Sequence, residues 1–166
     1  MAIVSNTSPL NYLVLIDLAD LLPALFTNVV VPGAVLDELN VEAAPEKVRA
    51  WSSSPPSWVE VRHVEVPPED SLMRLHPGER EAIMLAQTIG APLLVDELEA
   101  REEAKRPSVV VTGTLRVLDE AAERGLADFS AALSKLQKTT FFVSQKLLKA
   151  MMERDQERKR QKGRQR

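Results

Sequence analysis

Residues 76–101, which read HPGEREAIMLAQTIGAPLLVDELEAR, decide the fold class. Pro77 suits the first position of a helix and Gly90 suits its end. The stretch 92–95 that follows is a short, continuously apolar strand, and we expect another helix over residues 97–105. A helix, a buried strand and a second helix in succession are typical of a parallel sheet covered by helices on both faces. Within the first helix, the residues expected to face the core are Ala82, Ile83, Leu85, Ala86 and Ile89.

The same alternation of strands and helices extends in both directions along the chain. Apolar runs predict buried strands over residues 2–5, 28–31 and 108–111, and the alternating WVEVRHVEV at 58–66 predicts an edge strand. Helices are predicted between these strands, at about residues 9–16, 20–26, 32–39 and 45–51, and in the last third at 114–124, 129–138 and 144–160. For the first of these helices, Ser8 is the predicted N-cap and Pro9 the first helical residue.

Composition excludes several classes of protein. The chain has 166 residues, 45% hydrophobic and 27% charged, which fits one globular domain of ordinary size. It has no cysteine and two histidines, so disulfides and thiolate metal sites are excluded and a multi-histidine zinc site is disfavoured. No apolar run reaches the roughly 18 residues of a membrane span. The apolar N-terminus lacks a basic flank, so we expect no signal peptide. The absence of cysteine is compatible with the cytoplasmic location that we expect.

Charge is unevenly distributed. The net charge is −3, but residues 154–166 hold seven basic and two acidic residues, a net of +5. This basic tail is interpreted either as a solvated helix end or as a contact to nucleic-acid phosphates. We predict a domain over residues 1–140 and a C-terminal helix with a basic, flexible tail over 141–166. An apolar face of that helix either packs on the parent domain or binds a partner, and comprises Leu147, Leu148, Met151 and Met152.

Polar residues follow two predicted buried strands. Asn6 follows the first strand, and Asp96 and Glu97 follow the strand at 92–95. Ligands of parallel sheets bind beyond the carboxyl ends of the strands. Glu38 and Glu79 lie beside apolar helix faces, and Glu79 also suits the dipole of its own helix. Singly, each acid has an ordinary structural role; together they indicate a site for a hard cation such as Mg²⁺.

Four strings in order carry a family resemblance: VSNTSPLNYL, VVPGAVLDEL, the stretch at 76–101, and VVVTGTLRVL. Over residues 3–125 the chain resembles the PIN-domain family, and within it the small prokaryotic proteins related to VapC toxins. The resemblance implies a three-layer α/β/α sandwich with a mainly parallel sheet. It also implies an endoribonuclease that uses Mg²⁺ or Mn²⁺ to hydrolyse RNA phosphodiesters. The implied partners are RNA, an antitoxin-like protein and a second copy of the chain.

The resemblance also assigns site residues. The four acids of the family motif correspond to Asn6, Glu38, Glu79 and Asp96, which are the expected catalytic and metal-binding residues, and Glu97 is an additional expected metal ligand. Residues near the same edge that are expected to contact substrate or phosphate are Ser8, Thr112, Thr114, Arg80 and Arg101. For the two arginines, solvation or ion pairing is the alternative.

Asn6 departs from the family pattern, which has Asp at this position. An amide oxygen can ligate Mg²⁺ but adds no negative charge, so metal binding and hydrolysis are expected to be impaired. Two origins are compatible with Asn6: a natural family member that binds without cutting, or a substitution that silences a toxic nuclease. The rival function is therefore a non-catalytic PIN-fold module that binds RNA or protein. A phosphoryl-transfer domain is disfavoured because the sequence has neither GxxxxGK[ST] nor GxGxxG.

Overall fold

A five-stranded sheet is formed by strands within residues 2–112. The computed structural model describes residues 1–96, 101–102, 104 and 109–165. The strands are β1 (Ala2–Ser5), β2 (Asn28–Pro32), β3 (Val59–Arg62), β4 (Leu93–Leu94) and β5 (Val111–Thr112). They lie in the order β3-β2-β1-β4-β5 and every neighbouring pair is parallel. All five carboxyl ends therefore lie at one edge, as the sequence predicted.

Eight helices are present among the described residues, and the first five lie between the strands in the chain. They are α1 (Thr7–Leu15), α2 (Leu21–Leu25), α3 (Gly33–Leu39), α4 (Glu46–Ser53), α5 (Pro77–Ile89), α6 (Thr114–Glu123), α7 (Phe129–Gln137) and α8 (Gln145–Arg164), with a 3₁₀ turn at Ser71–Arg74. The predicted α/β sandwich with a parallel sheet is confirmed. Among the described residues, no helix combines the length and apolar character needed to cross a membrane.

The core is aliphatic because the central strands are apolar on both faces. Residues 29–31 of β2 and Leu93 and Leu94 of β4 are almost completely buried. Helix α5 buries the predicted face, of which Ile83 is fully inaccessible, and Gly90 ends it in the left-handed conformation with φ 66°. Only glycine adopts that conformation readily, which explains why the helix stops there.

Three local predictions need correction. Helix α1 begins at Thr7 with Asn6 as its N-cap, so Ser8 is not the cap. Proline needs no hydrogen-bond partner anywhere in a first helical turn, and Pro9 is therefore accommodated at the third position. Strand β3 ends at Arg62, four residues before the predicted end. The strand predicted at 108–111 is shifted: residues 109 and 110 are described outside any strand, and β5 comprises Val111–Thr112. The helix predicted at 97–105 falls largely outside the described residues.

The chain forms two compact units, Met1–Thr114 and Leu115–Arg166. In the second unit, the basic C-terminal segment is ordered as helix through Arg164. Arg158 is 11% exposed and pairs with two buried carboxylates, Asp119 and Asp155. Lys159 also pairs with Asp155, at 2.9 Å. Part of the basic charge is thus used inside this unit, which neither interpretation of the tail anticipated.

Candidate active site

Asn6 lies at the carboxyl edge of the sheet, directly after β1. Its side chain is buried, with the residue 1% exposed. Its backbone N–H donates to the carbonyl oxygen of Leu94 at 2.9 Å, which places Asn6 beside the end of β4. The extended backbone of Asn6, with ψ 176°, then leads into α1. Asn6 therefore lies at the end of β1 and beside the end of β4, whose continuation carries Asp96.

Glu38, on α3, is held by two hydrogen bonds from distant parts of the chain. The Thr7 hydroxyl donates to its Oε2 atom at 2.5 Å. The backbone N–H of Gly78 donates to its Oε1 atom at 2.7 Å. Thr7 follows Asn6, and Gly78 precedes Glu79, so this carboxylate joins α1, α3 and α5. The bonds fix the direction of a side chain that has three rotatable torsions.

Asp96, two residues beyond β4, is held in a similar way by one residue. The backbone N–H of Thr114 donates to Oδ1 at 2.8 Å, and the Thr114 hydroxyl donates to Oδ2 at 2.5 Å. Thr114 is fully buried. Burial raises the pKa of Asp96 above its ordinary value, and the two Thr114 bonds and the positive charge of Arg101 oppose that rise only in part.

Each of these carboxylates lies against a glycine. A Cβ atom on Gly78 would lie 2.7 Å from the Cδ atom of Glu38. A Cβ atom on Gly113 would lie 2.9 Å from the Oδ1 atom of Asp96 and 2.9 Å from Nη1 of Arg101. All three distances are shorter than ordinary van der Waals contact. A side chain at residue 78 would displace the Glu38 carboxylate, and one at residue 113 would displace Asp96 and Arg101.

Glu79 has a bond within its own helix. Its Oε2 atom accepts from the backbone N–H of His76 at 3.2 Å, an arrangement that satisfies a free donor at the start of α5. The carboxylate that was expected to bind metal thus has a capping role in this structure. Its assignment as a metal ligand stays a prediction.

The other residues that were expected to contact substrate are Arg101, Arg80, Ser8 and Thr112. Arg101 donates from Nη1 to the carbonyl of Val95 at 3.2 Å, next to Asp96. The Nη1 atom of Arg80 lies 3.5 Å from the carbonyl of Leu75. Ser8 lies in the first turn of α1, and Thr112 ends β5. Glu97 lies outside the described residues.

The structure links Asn6 to Glu38 through Thr7, and to the strand before Asp96 through Leu94, and it adds residues that the sequence analysis missed. Glu38 and Asp96 are both held by threonine hydroxyls, and Asn6 adjoins one of those threonines. Thr7 and Gly78 were missed, since they lie 31 and 40 residues from Glu38. Within residues 1–96, 101–102, 104 and 109–165, no three acidic or histidine side chains form a group that could hold a metal ion.

The donor set still fits a hard cation. It offers an amide oxygen and two carboxylates, without nitrogen or sulfur ligands, and Mg²⁺ prefers oxygen and retains several waters when it binds one or two carboxylates. A carboxylate has about four lone-pair positions, and the described bonds to Glu38 and Asp96 use two on each. Both carboxylates therefore keep capacity to accept a cation.

Comparison with known families agrees with the parallel sheet. The family model described as DUF3368: PIN domain matches residues 2–157, nearly the whole chain. The chain belongs to the PIN-domain family. The PIN fold is nuclease-like, PIN domains commonly bind RNA, and they generally use Mg²⁺ or Mn²⁺. No curated protein matches the sequence. The family match extends into α8, well past the boundary predicted at residue 140.

Proposed function

We propose that this PIN-domain protein is built as a VapC-like, metal-dependent endoribonuclease whose hydrolytic step is impaired by Asn6. The observation that carries the proposal is the pair of oriented carboxylates, Glu38 and Asp96, at the edge where Asn6 is buried. Each carboxylate accepts hydrogen bonds from one backbone N–H and one threonine hydroxyl. These bonds fix its orientation, which a solvated surface acid does not require.

Glu38 and Asp96 would hold Mg²⁺ or Mn²⁺, with the amide oxygen of Asn6 as a neutral ligand and with Glu79 and Glu97 as further candidate ligands. A bound cation of this kind polarises a phosphate and lowers the pKa of an attacking water. Arg101, whose positive charge acts on Asp96, would contact an RNA phosphate. Asn6 cannot supply the negative charge of the family aspartate, so the site binds a cation less strongly and orients a water less well.

The test is cleavage of a labelled, structured RNA with Mg²⁺ or Mn²⁺, comparing the chain with its Asn6→Asp variant and using a chelator as control. The matched control is Asn28→Asp, because Asn28 is exposed at the opposite end of the sheet, where β2 begins. We expect metal-dependent cleavage by Asn6→Asp alone, and its loss when Asp96→Asn is added. Equal cleavage by Asn6→Asp and Asn28→Asp would contradict the proposed site.

The second candidate function is a PIN-fold module that binds RNA or a protein without cutting. Asn6 favours it, because a buried amide replaces the charge that hydrolysis needs. If both Asn6 and Asn6→Asp chains bind the RNA with equal affinity in chelator and neither cleaves it with metal, this function replaces the nuclease.

Partners and location remain proposals. Two residues of the predicted apolar face of α8, Leu147 and Met152, are 44% and 41% exposed, which supports contact with a second copy or an antitoxin-like protein. Solution mass by light scattering tests self-association: Leu147→Asp should reduce a dimer to a monomer, whereas Val41→Asp, also at an exposed apolar position, should not. An unchanged mass in both variants would contradict it. A cytoplasmic location stays a prediction from the cysteine-free composition.

A further inference from the structure

Two separate carboxylates in this protein are held by the same combination of groups. Glu38 accepts a backbone N–H on Oε1 and a threonine hydroxyl on Oε2, at 2.7 and 2.5 Å. Asp96 accepts a backbone N–H on Oδ1 and a threonine hydroxyl on Oδ2, at 2.8 and 2.5 Å. In each case both oxygens are engaged at once, so rotation of the carboxyl group about its terminal torsion is blocked.

A glycine completes each arrangement. Gly78 donates its N–H to Glu38 and leaves no room for a Cβ atom beside that carboxylate. Gly113 immediately precedes Thr114, and a Cβ atom there would lie 2.9 Å from the Oδ1 atom of Asp96. Each glycine thus allows the backbone to approach a carboxylate closely, which a larger residue would prevent.

The residues that form these arrangements come from different elements. Thr7 opens α1, Gly78 lies in the first turn of α5, and Glu38 lies on α3 between them in sequence. The Thr7 hydroxyl reaches across 31 residues and the Gly78 N–H across 40. These bonds therefore fix a side chain relative to three helices.

We propose that Thr7 and Thr114 are positioning residues, whose hydroxyls hold Glu38 and Asp96 in the orientation in which they accept a divalent cation. This inference rests on the proposed metal-dependent function. Groups that orient metal ligands typically change metal affinity by about 10- to 100-fold when they are removed. Thr7 is the more informative of the two, because it contributes only its hydroxyl to Glu38, whose second donor is the Gly78 N–H. Thr114 contributes both its hydroxyl and its backbone N–H to Asp96.

The experiment is a calorimetric titration of the full chain with Mn²⁺, carried out on the Asn6→Asp background and on the chain with Asn6. Thr7→Val removes the hydroxyl and keeps the shape of the side chain, whereas Thr7→Ser keeps the hydroxyl. The matched control is Thr88→Val, since the Thr88 hydroxyl donates to the Met84 carbonyl at 2.8 Å on the exposed side of α5. Tryptophan fluorescence during urea denaturation verifies that each variant folds.

On the Asn6→Asp background we expect Thr7→Val to weaken Mn²⁺ binding by about 10- to 100-fold. Thr7→Ser and Thr88→Val should leave the affinity within about threefold of the background, because the hydroxyl to Glu38 is intact in both. Comparing Thr114→Ser with Thr114→Val tests the hydroxyl that bonds to Asp96 in the same way. If the valine variant of one threonine does not fold, the comparison at the other threonine still tests the inference.

Two results would overturn the inference in distinguishable ways. If Mn²⁺ binds and Thr7→Val and Thr114→Val, once folded, behave like Thr88→Val, the positioning role is wrong and the proposed function is untouched. If the Asn6→Asp chain binds no Mn²⁺ at all, the metal-dependent function is wrong and the positioning role is wrong with it.

Discussion

Replacing Gly78 by Ala places a methyl group against the carboxylate of Glu38. The Oε2 atom of Glu38 would be nearest to the added Cβ atom and Cδ would lie 2.7 Å from it, so the carboxylate must retreat by about 1 Å to reach ordinary contact. That movement stretches the 2.7 Å hydrogen bond from the Gly78 N–H to Oε1. Because Glu38 is a half-buried side chain with a flexible end, we expect the carboxylate to move rather than the helix.

The expected change in stability is a difference of two effects. Losing a hydrogen bond to a charged group costs about 1.5 to 3 kcal/mol. Alanine in a helix gains up to about 1 kcal/mol over glycine. Gly78→Ala should therefore lower the free energy of unfolding by about 0.5 to 2 kcal/mol. Gly33→Ala is the matched control, since Gly33 opens α3 and a Cβ atom there would contact nothing within 4 Å. It should be neutral or slightly stabilising.

The assay is urea denaturation in chelator, followed by the fluorescence of Trp51 and Trp58, whose rings lie 6.0 Å apart in the same unit. The decisive comparison repeats Gly78→Ala in a Glu38→Ala background. The carboxylate that would clash with the added methyl group is absent there, so Gly78→Ala should leave the free energy of unfolding unchanged or raise it. The coupling energy between the two positions should be about 1.5 to 3 kcal/mol. A coupling below about 0.5 kcal/mol, or stabilisation by Gly78→Ala in the original chain, would refute the reasoning.

Three further predictions concern the charges. Asn6→Asp adds a carboxylate at a buried position, so it should lower the melting temperature in chelator. Mn²⁺ at 100 times its Kd should then raise the free energy of unfolding of this variant by about 2.7 kcal/mol. Equal stabilisation of Asn28→Asp by Mn²⁺ would argue against a site at Asn6. Arg158→Met removes the partner that two buried aspartates share, and the loss of its charged hydrogen bonds should cost about 1.5 to 3 kcal/mol in urea denaturation. The cost stays in this range because Asp119 keeps Arg116 and Arg154, and Asp155 keeps Lys159. Arg160→Met, at a 68% exposed side chain, should change stability by about 0.5 kcal/mol at most, and similar costs for both variants would contradict the buried pairing. Burial raises the folded-state pKa of Asp96, so this group contributes stability at low pH that is lost as the pH rises through that pKa. In urea denaturation with chelator, the gain in stability of Asp96→Asn over the original chain should therefore be larger at pH 7 than at pH 4. The reverse order would show that the raised pKa is wrong.

The general course of the chain could be predicted because the relevant signals are local. Apolar triplets such as residues 29–31 form the central strands, and Pro77 and Gly90 bound α5 as expected. The start of α1 was misplaced by two residues, because a Ser-Pro pair is a strong local signal for a cap, yet Asn6 at the end of β1 already has the extended backbone that a cap requires. Local preference was outweighed by the position where the strand ends.

The candidate site was predictable only in part. Asn6 and Asp96 could be found because each directly follows an apolar strand, and strand ends of a parallel sheet share one edge. Glu38 was a candidate from its place beside an apolar helix face, the family resemblance assigned its role, and its surroundings were not foreseen. The capping bond of Glu79 was foreseeable from its place in the first turn of α5, since an acid at that position suits the free N–H groups there.

The sequence by itself determined the succession of strands and helices along the chain, because apolar periodicity and turn residues act over a few positions. That succession in turn indicated the parallel sheet and the edge that carries the polar residues. The tertiary structure alone decided that Thr7 and Gly78 hold Glu38, that Thr114 holds Asp96, and that Arg158 pairs with Asp119 across 39 residues. Such contacts join positions that share no local pattern. They form only when packing of the core brings distant segments within the short range of a hydrogen bond.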